Sequence, residues 1–249
     1  MKAQIDIHGT AYEFDLSQPI DISIPLQHGA QNPAAWYIGP PAFEAVELDN
    51  WTGSVEAGAA VNFFNVRFNP HAHGTHTECL GHISPEKHAI NDHFNGHFSL
   101  ARLITVEPVE LGLDHVITAP EIEYALEGFK GTAVVIRTLP NDDSKLLKDY
   151  NNTNWPYLSE GAAHLLREIG VAHLLIDLPS VDQEEDGGAL AAHRAFWNYP
   201  VEPRLEATIT ELIYVPTAIE DGDYLLNLQV APFVNDAAPS RPLLFAIKE

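Results

Sequence analysis

The chain has 249 residues, 45% of them hydrophobic, which suits one large α/β or β-rich domain or two small ones. Its formal charge of −22, from 13 Lys and Arg against 35 Asp and Glu, excludes nucleic acid and anionic membrane surfaces as partners, because neutralising phosphates takes clustered cations. The single cysteine, Cys79, excludes an intramolecular disulfide framework; without a leader or an ~18-residue apolar run, the expectation is a soluble protein of the reducing cytoplasm.

Residues 3–14 alternate loosely in hydrophobicity (Ile5, Ile7, Tyr12, Phe14) around Gly9 and predict a hairpin. Pro19 and Pro25 bracket a short extended piece, since each biases the residue before it away from helix. Residues 27–60 are rich in Gly, Pro, Asn and Ala, and so long an irregular stretch is usually functional or covers a binding surface. The aromatics Trp36, Trp51, Phe63 and, far downstream, Trp197 suit a flat aromatic substrate or, equally, core packing. Val61–Phe68 has strand composition and leads into the densest cluster of the chain.

Residues 71–82 read His71-Ala72-His73-Gly74-Thr75-His76-Thr77-Glu78-Cys79-Leu80-Gly81-His82. They hold four of the seven histidines between His71 and His97, with a carboxylate and a thiol. Imidazole with carboxylate is the usual ligand set for Zn²⁺, Mn²⁺ or Fe²⁺. The density and the mixture of donors favour a metal or proton-transfer site over an exposed polar loop. Gly74 and Gly81 break helices, so a loop or strand edge is expected here. Cys79 is either a small packed residue or a zinc-binding thiolate.

Leu103–Val109 is a further strand. Thr118-Ala119-Pro120-Glu121 combines an N-cap, an early proline and a capping-box Glu, and opens a helix ending near Gly128. Thr132–Leu139 is a buried strand, and residues 141–155 are a polar excursion. Ser159 caps an amphipathic helix whose Ala162, Leu165, Leu166 and Ile169 share one face before Gly170 ends it. Val171–Leu178 is the next strand. This strand–helix–strand order is a βαβ unit and implies an α/β domain. Asp177 and Asp182 follow at the strand's C-terminal end, where α/β folds place chemistry. Asp177 is a candidate to orient a ligand histidine, and Asp182 to cap a loop. A short helix is expected to run through to His193. Thr208–Val215 is a strand carrying Glu211, whose burial in so apolar a run requires a cation, a metal or a donor unless it faces solvent.

Taken in order, these pieces resemble a known family. Asp15-Leu16-Ser17-Gln18-Pro19-Ile20, Gly74-Thr75-His76-x-Glu78-x-x-x-His82, Asp177-x-x-Ser180-x-Asp182 with the downstream His193, Glu211, and the closing Ala238-Pro239-Ser240-Arg241-Pro242 are similar to motifs of the metal-dependent cyclase family, which includes bacterial kynurenine formamidases and isatin hydrolases. The resemblance covers nearly the whole chain. It implies an α/β protein of the swivelling β/β/α fold, one cyclase-like domain over residues 1–249 with a mixed sheet, in homodimers or larger homo-oligomers. It further implies hydrolysis of a C–N bond in a small amide, formamide or lactam by metal-activated water, with Zn or Mn as the divalent metal ion.

By position, His76 and Glu78 become metal ligands, His193 and Glu211 complete the site from afar, and His82 transfers protons. The family's first ligand histidine would fall on Ala72, which His71 and His73 flank; His71, if the loop bulges at Pro70, is the candidate to supply it. Glu78 stands where the family has Asp, and Leu80 where it has Pro. Independently of the resemblance, an imidazole free of the metal, with a reference pKa near 6.5, suits donation to a leaving nitrogen. His82 is the residue chosen for that role. Two other readings compete. A metal-free family member would serve as a small-molecule binding protein. A cupin would use His71-x-His73-x-x-x-x-Glu78, although its jelly roll lacks a place for the βαβ unit.

Overall fold

The computed structural model of the chain describes residues 1–7 and 9–248. The expected hairpin forms from β1 (Lys2–Ile7) and β2 (Thr10–Asp15), with the short β3 (Ile20–Asp21) after it. The stretch expected to be irregular contains β4 (Ala42–Ala45), β5 (Glu47–Leu48) and β6 (Trp51–Thr52), followed by β7 (Phe64–Arg67). These pair antiparallel, β4 with β7 and β5 with β6, as a ribbon off the main sheet.

The His-rich segment, expected as a loop or strand edge, contains a short strand β8 (His76–Glu78), with a helical turn α1 (Pro70–His73) before it and a 3₁₀ turn over Leu80–His82 after it. Local capping outweighs the glycine signals: Asn69 accepts the His71 N–H with its side chain and Pro70 occupies the first helical position. Gly81 serves the second turn by its size, because a Cβ there would collide with the His88 carbonyl.

The chain continues through α2 (Ile90–His93), β9 (Phe98–Val106), β10 (Val109–Leu111), β11 (Asp114–Ile117) and α3 (Ala119–Ala125). Then come β12 (Ala133–Thr138), β13 (Tyr157–Leu158), α4 (Glu160–Glu168) and β14 (His173–Ile176). Last are α5 (Ala191–Trp197), β15 (Thr208–Glu211), β16 (Gly222–Val230) and β17 (Ala237–Lys248). The Thr118–Glu121 capping box and the Ser159 cap form where the sequence puts them. The strand expected over Leu103–Val109 runs instead from Phe98 to Val106, the helix expected to end near Gly128 ends at Ala125, and two further boundaries move near the site. The helix expected to lead up to His193 instead begins at Ala191, because Asp186 ties the N–H groups of Gly188 and Leu190 into a turn before it. The strand expected to reach Val215 stops at Glu211, where Leu212 takes a φ of 51° that breaks the ladder.

Strands β9, β12, β14 and β15 lie parallel. Strand β16 pairs antiparallel with β9 and β17 with β16, while β8 pairs antiparallel with both β15 and β17. The order β17-β16-β9-β12-β14-β15-β8 therefore closes on itself as a mixed barrel, with β1, β2 and β3 attached through β17. This is the mixed α/β fold expected, and it removes the jelly-roll alternative. Because parallel strands are covered on both sides, they are apolar at successive positions. Val134, Ile136, Leu174, Ile176 and Ile209 face α4 and α5, packing on Ala162, Leu166, Phe196 and Trp197. Val135 and Leu175 face inward onto Leu103, Ile213, Leu226 and Leu244.

Candidate functional site

The closing strand β8 organises the site. Its alternation puts His76 and Glu78 on one face and Thr77 on the other, where the Thr77 hydroxyl meets that of Thr210 at 2.8 Å. The register pairs His76 with Glu211 across to β15, so the two ligand-type side chains are direct cross-strand neighbours. The Glu211 Oε2 lies 3.3 Å from His76 Nε2, and its Oε1 accepts the Val181 N–H at 2.9 Å. Glu211 thus faces inward, not solvent. Thr75, entering β8, is structural: its hydroxyl donates to the Leu212 carbonyl and accepts the Ile24 N–H.

The remaining residues arrive from three directions. His193, in the first turn of α5, donates Nε2–H to Glu78 Oε1 at 2.9 Å and Nδ1–H to Asp182 at 2.6 Å. Asp182 also accepts the backbone N–H groups of Ala192 and His193, so one carboxylate caps the helix and fixes the imidazole. Asp182 thus both caps and orients, whereas Asp177, the expected orienter, binds Lys145 and Thr138 and touches no site histidine. From α1, His71 places Nδ1 3.1 Å from Glu78 Oε2. Ala72, at the position where a ligand was expected, is fully buried. The helical turn explains the slip: it points His71 toward Glu78 and sends His73 away, to the Asn69 N–H and the Gly39 carbonyl. The cupin ligand pattern, which needs His73, is therefore not assembled. His82 sits on the 3₁₀ turn with Nδ1 3.8 Å from Glu78 Oε2 and its ring stacked on His71 at 4.4 Å.

All six residues singled out from the sequence, His71, His76, Glu78, His82, His193 and Glu211, thus meet around Glu78. The sequence reading missed Asp236, whose Oδ2 is 3.0 Å from His71 Nε2 and 3.4 Å from His82 Nδ1. A lone acid in a turn carries no signal. It enters the site only because the next residue, Ala237, pairs with Glu78 in the sheet. The aromatics do not gather. Trp197 is core, Trp36 packs edge-on against Trp155 and donates to the His71 carbonyl, and Trp51 and Phe63 lie together on the ribbon. Cys79 packs on Ile90 and Ala238, and burial pushes its thiol up to about 11, which keeps it protonated and inert.

Electrostatically the cluster seeks positive charge. Burial opposes ionisation of Glu78, yet His82, His193 and His71 hold its carboxyl well below the usual range. Burial likewise opposes charge on His71 and His193, and is outweighed by their carboxylate partners: His71 is pushed up to about 10 and His193 is raised well above the ordinary histidine value. Two buried atoms, His76 Nε2 and Glu78 Oε2, have no hydrogen-bond partner. A buried carboxylate oxygen and a buried imidazole nitrogen without hydrogen bonds are costly for a protein alone and suit a bound cation. The ligand atoms of His71, His76 and Glu78 lie within 4.8 Å of one another, as do those of Glu78, His82 and His193. The residues present therefore fit a divalent metal. The centre opens on one side, where the side chains of His71, His82 and Asp236 are 18%, 31% and 27% exposed.

Comparison with known proteins bears on the fold and the family. A family model described as "Putative cyclase" matches residues 14–183, a range that holds His71 to His82 and Asp182 but ends before His193, Glu211 and Asp236. The kynurenine formamidase of Bacillus thuringiensis is 29% identical over 231 residues, covering 92% of this chain and 97% of the relative. The structure of a predicted metal-dependent hydrolase from Bacillus stearothermophilus superposes with a TM-score of 0.63 at 17% identity, covering 92% of this chain and 98% of the other. Isatin hydrolase A from Labrenzia aggregata superposes with a TM-score of 0.63 at 13% identity, over 93% and 94% of the two chains. With more than half its length matched by the family model, the chain belongs to the cyclase family.

Proposed function

We propose that this enzyme hydrolyses the C–N bond of a small amide, formamide or lactam-type substrate, using Zn²⁺ or Mn²⁺ held by His71, His76, Glu78, His193 and Glu211. The observation that carries this reading is the pair of buried, partnerless atoms His76 Nε2 and Glu78 Oε2 amid converging histidines and carboxylates. The formamidase and hydrolase relatives support the reaction class. When bound, a divalent ion supplies Lewis acidity, which polarises a carbonyl and acidifies water.

The protein's own groups do the rest. Glu211 is pinned by the Val181 N–H and His193 by Asp182, so the donors are held before substrate arrives. His82 stands on the open side and carries the proton. It takes a proton from the attacking water as the C–O bond forms and returns it to the nitrogen as the C–N bond breaks, giving a carboxylic acid and an amine. Residues 1–249 would work as one domain, which the ring of strands drawn from both halves of the chain supports. Self-association as a homodimer or larger assembly belongs to the same reading and is supported by the exposed ribbon. The reducing cytoplasm is the proposed compartment, in keeping with a chain whose one cysteine is a free thiol.

The test is metal reconstitution followed by a screen of formamides, cyclic imides and lactams. Hydrolysis that appears with Zn²⁺ or Mn²⁺ and disappears on chelation is expected. His82→Gln is expected to keep the metal and lose about 10²–10⁴-fold in kcat. A chain that takes up no divalent transition metal after reconstitution would overturn the proposal.

A further inference from the structure

The three imidazoles proposed as metal ligands are each anchored through one ring nitrogen. His76 donates Nδ1–H to the Gly74 carbonyl at 3.0 Å, and His193 donates Nδ1–H to Asp182, so both present Nε2 to the centre. His71 is turned the other way round. Its Nε2 makes an aligned hydrogen bond to Asp236 Oδ2 at 3.0 Å. Its Nδ1, by contrast, comes within 3.1 Å of Glu78 Oε2, yet that oxygen has no hydrogen-bond partner, so the contact is not aligned for one. An ionised carboxylate can only accept, so the hydrogen of the Asp236 contact belongs to His71 Nε2. On binding, a cation takes the place of the Nδ1 hydrogen, and Nδ1 supplies the lone pair while Nε2 keeps its hydrogen on Asp236.

Asp236 is well placed for this work. Its own carbonyl accepts the Cys79 N–H at 3.0 Å, and the following Ala237 lies opposite Glu78 in the sheet, which locks its backbone to the site. The same Oδ2 that holds His71 is 3.4 Å from His82 Nδ1. We infer that Asp236 is a positioning residue of the centre: through one carboxylate oxygen it holds His71 so that Nδ1 is the ligand atom, and it steadies the Nδ1 side of His82 so that Nε2 is left to the substrate. The inference rests on the metallohydrolase reading above. It also accounts for the shift from Ala72 to His71, because a histidine approaching from the preceding residue reaches the centre with its inner ring nitrogen.

The probe is Zn²⁺ alone. Wild type, Asp236→Asn and Asp236→Ala are stripped of metal, compared in thermal midpoint, titrated with Zn²⁺, and examined in the zinc-loaded state by long-range proton–nitrogen NMR of isotope-labelled histidine. Wild type is expected to show His71 with its hydrogen on Nε2 and zinc on Nδ1. Asp236→Ala is expected to bind zinc about 10–100-fold more weakly, with a similar thermal midpoint for the metal-free protein. Asp236→Asn, whose amide oxygen can still accept the Nε2 hydrogen, is expected to recover part of that loss. In turnover both variants should fall in kcat more than they rise in KM.

Zinc found on His71 Nε2 would overturn the inference, as would Asp236→Ala and Asp236→Asn both binding zinc like wild type with the His71 signals unchanged. Those results leave the metallohydrolase reading standing. A wild type that binds no zinc or manganese overturns that reading, and the inference with it.

Discussion

At the scale of single residues, reach and orientation decide the site more than residue type. Glu78 is one methylene longer than the aspartate of the family pattern, about 1.5 Å on standard bond lengths, and its two oxygens are shared between His193 on one side and His71 with His82 on the other. Away from the site, His173 shows the opposite electrostatic case. It is buried at the start of β14 with Nδ1 on the Thr208 hydroxyl and its ring against Phe94, and a Cβ at Gly96 would collide with the ring. Burial, helped by Arg204, lowers it from 6.5 to about 4. Between those values the unfolded chain binds a proton that the folded chain refuses, so stability falls as pH drops from about 7 to about 4 and is flat for this group below that. The loss is about 3 kcal/mol. Urea unfolding across that range should show it in wild type, and His173→Gln should flatten the slope by about that amount.

At the scale of elements, the short strand β8 carries the most consequence. Two ladders hold it, to β15 and to β17, and those ladders bring Glu211 and Asp236 to His76 and Glu78. The excursion between β12 and β13 is fastened by a different device. Lys145, on a 3₁₀ turn over Asp143–Leu147, donates to Asp177 at 2.7 Å and to the Thr138 carbonyl and hydroxyl, all buried. Burial raises Asp177 above the usual carboxylate value even with Lys145 beside it. Removing the lysine leaves a buried acid with only Thr138 as donor, so Lys145→Met should cost about 3–5 kcal/mol in denaturant unfolding. The double variant with Asp177→Leu should recover much of that, since a buried ion pair contributes little beyond an apolar replacement.

At the scale of the whole molecule, closure of the sheet leaves the ribbon as the outlying part. All four residues of β7 are exposed, Phe64 and Val66 among them, and Phe63, Val61 and Leu48 add apolar surface nearby. A two-stranded ribbon with one strand exposed at every position is marginal by itself and is stabilised by packing on something else. On the proposal of self-association, Phe64→Asp should shift the mass measured by light scattering toward the monomer without unfolding the barrel. A wild type already monomeric at tens of micromolar would count against the ribbon as an interface. The charge of −22 works against association and should make it tighter as salt rises.

What the sequence determined by itself was local. The apolar run of Thr132–Leu139, the caps at Thr118 and Ser159 and the βαβ order are written within a few residues of where they act, and each appears in the fold. Glu211 inside an apolar strand was legible too, because burying a carboxylate demands partners wherever the strand lies. The donor types around residues 71–82 were equally plain. The tertiary structure alone decided which histidine of α1 faces Glu78, that Asp182 and not Asp177 orients His193, that Asp236 enters at all, and that the aromatics scatter. Those outcomes depend on the helical turn at Pro70, on the φ of Leu212 and on the register with which β8 closes the ring. Several of these proximities, such as Glu78 with His193 and His71 with Asp236, join residues more than a hundred positions apart. Sheet pairing and ring closure fix them, and short-range periodicity carries no trace of them.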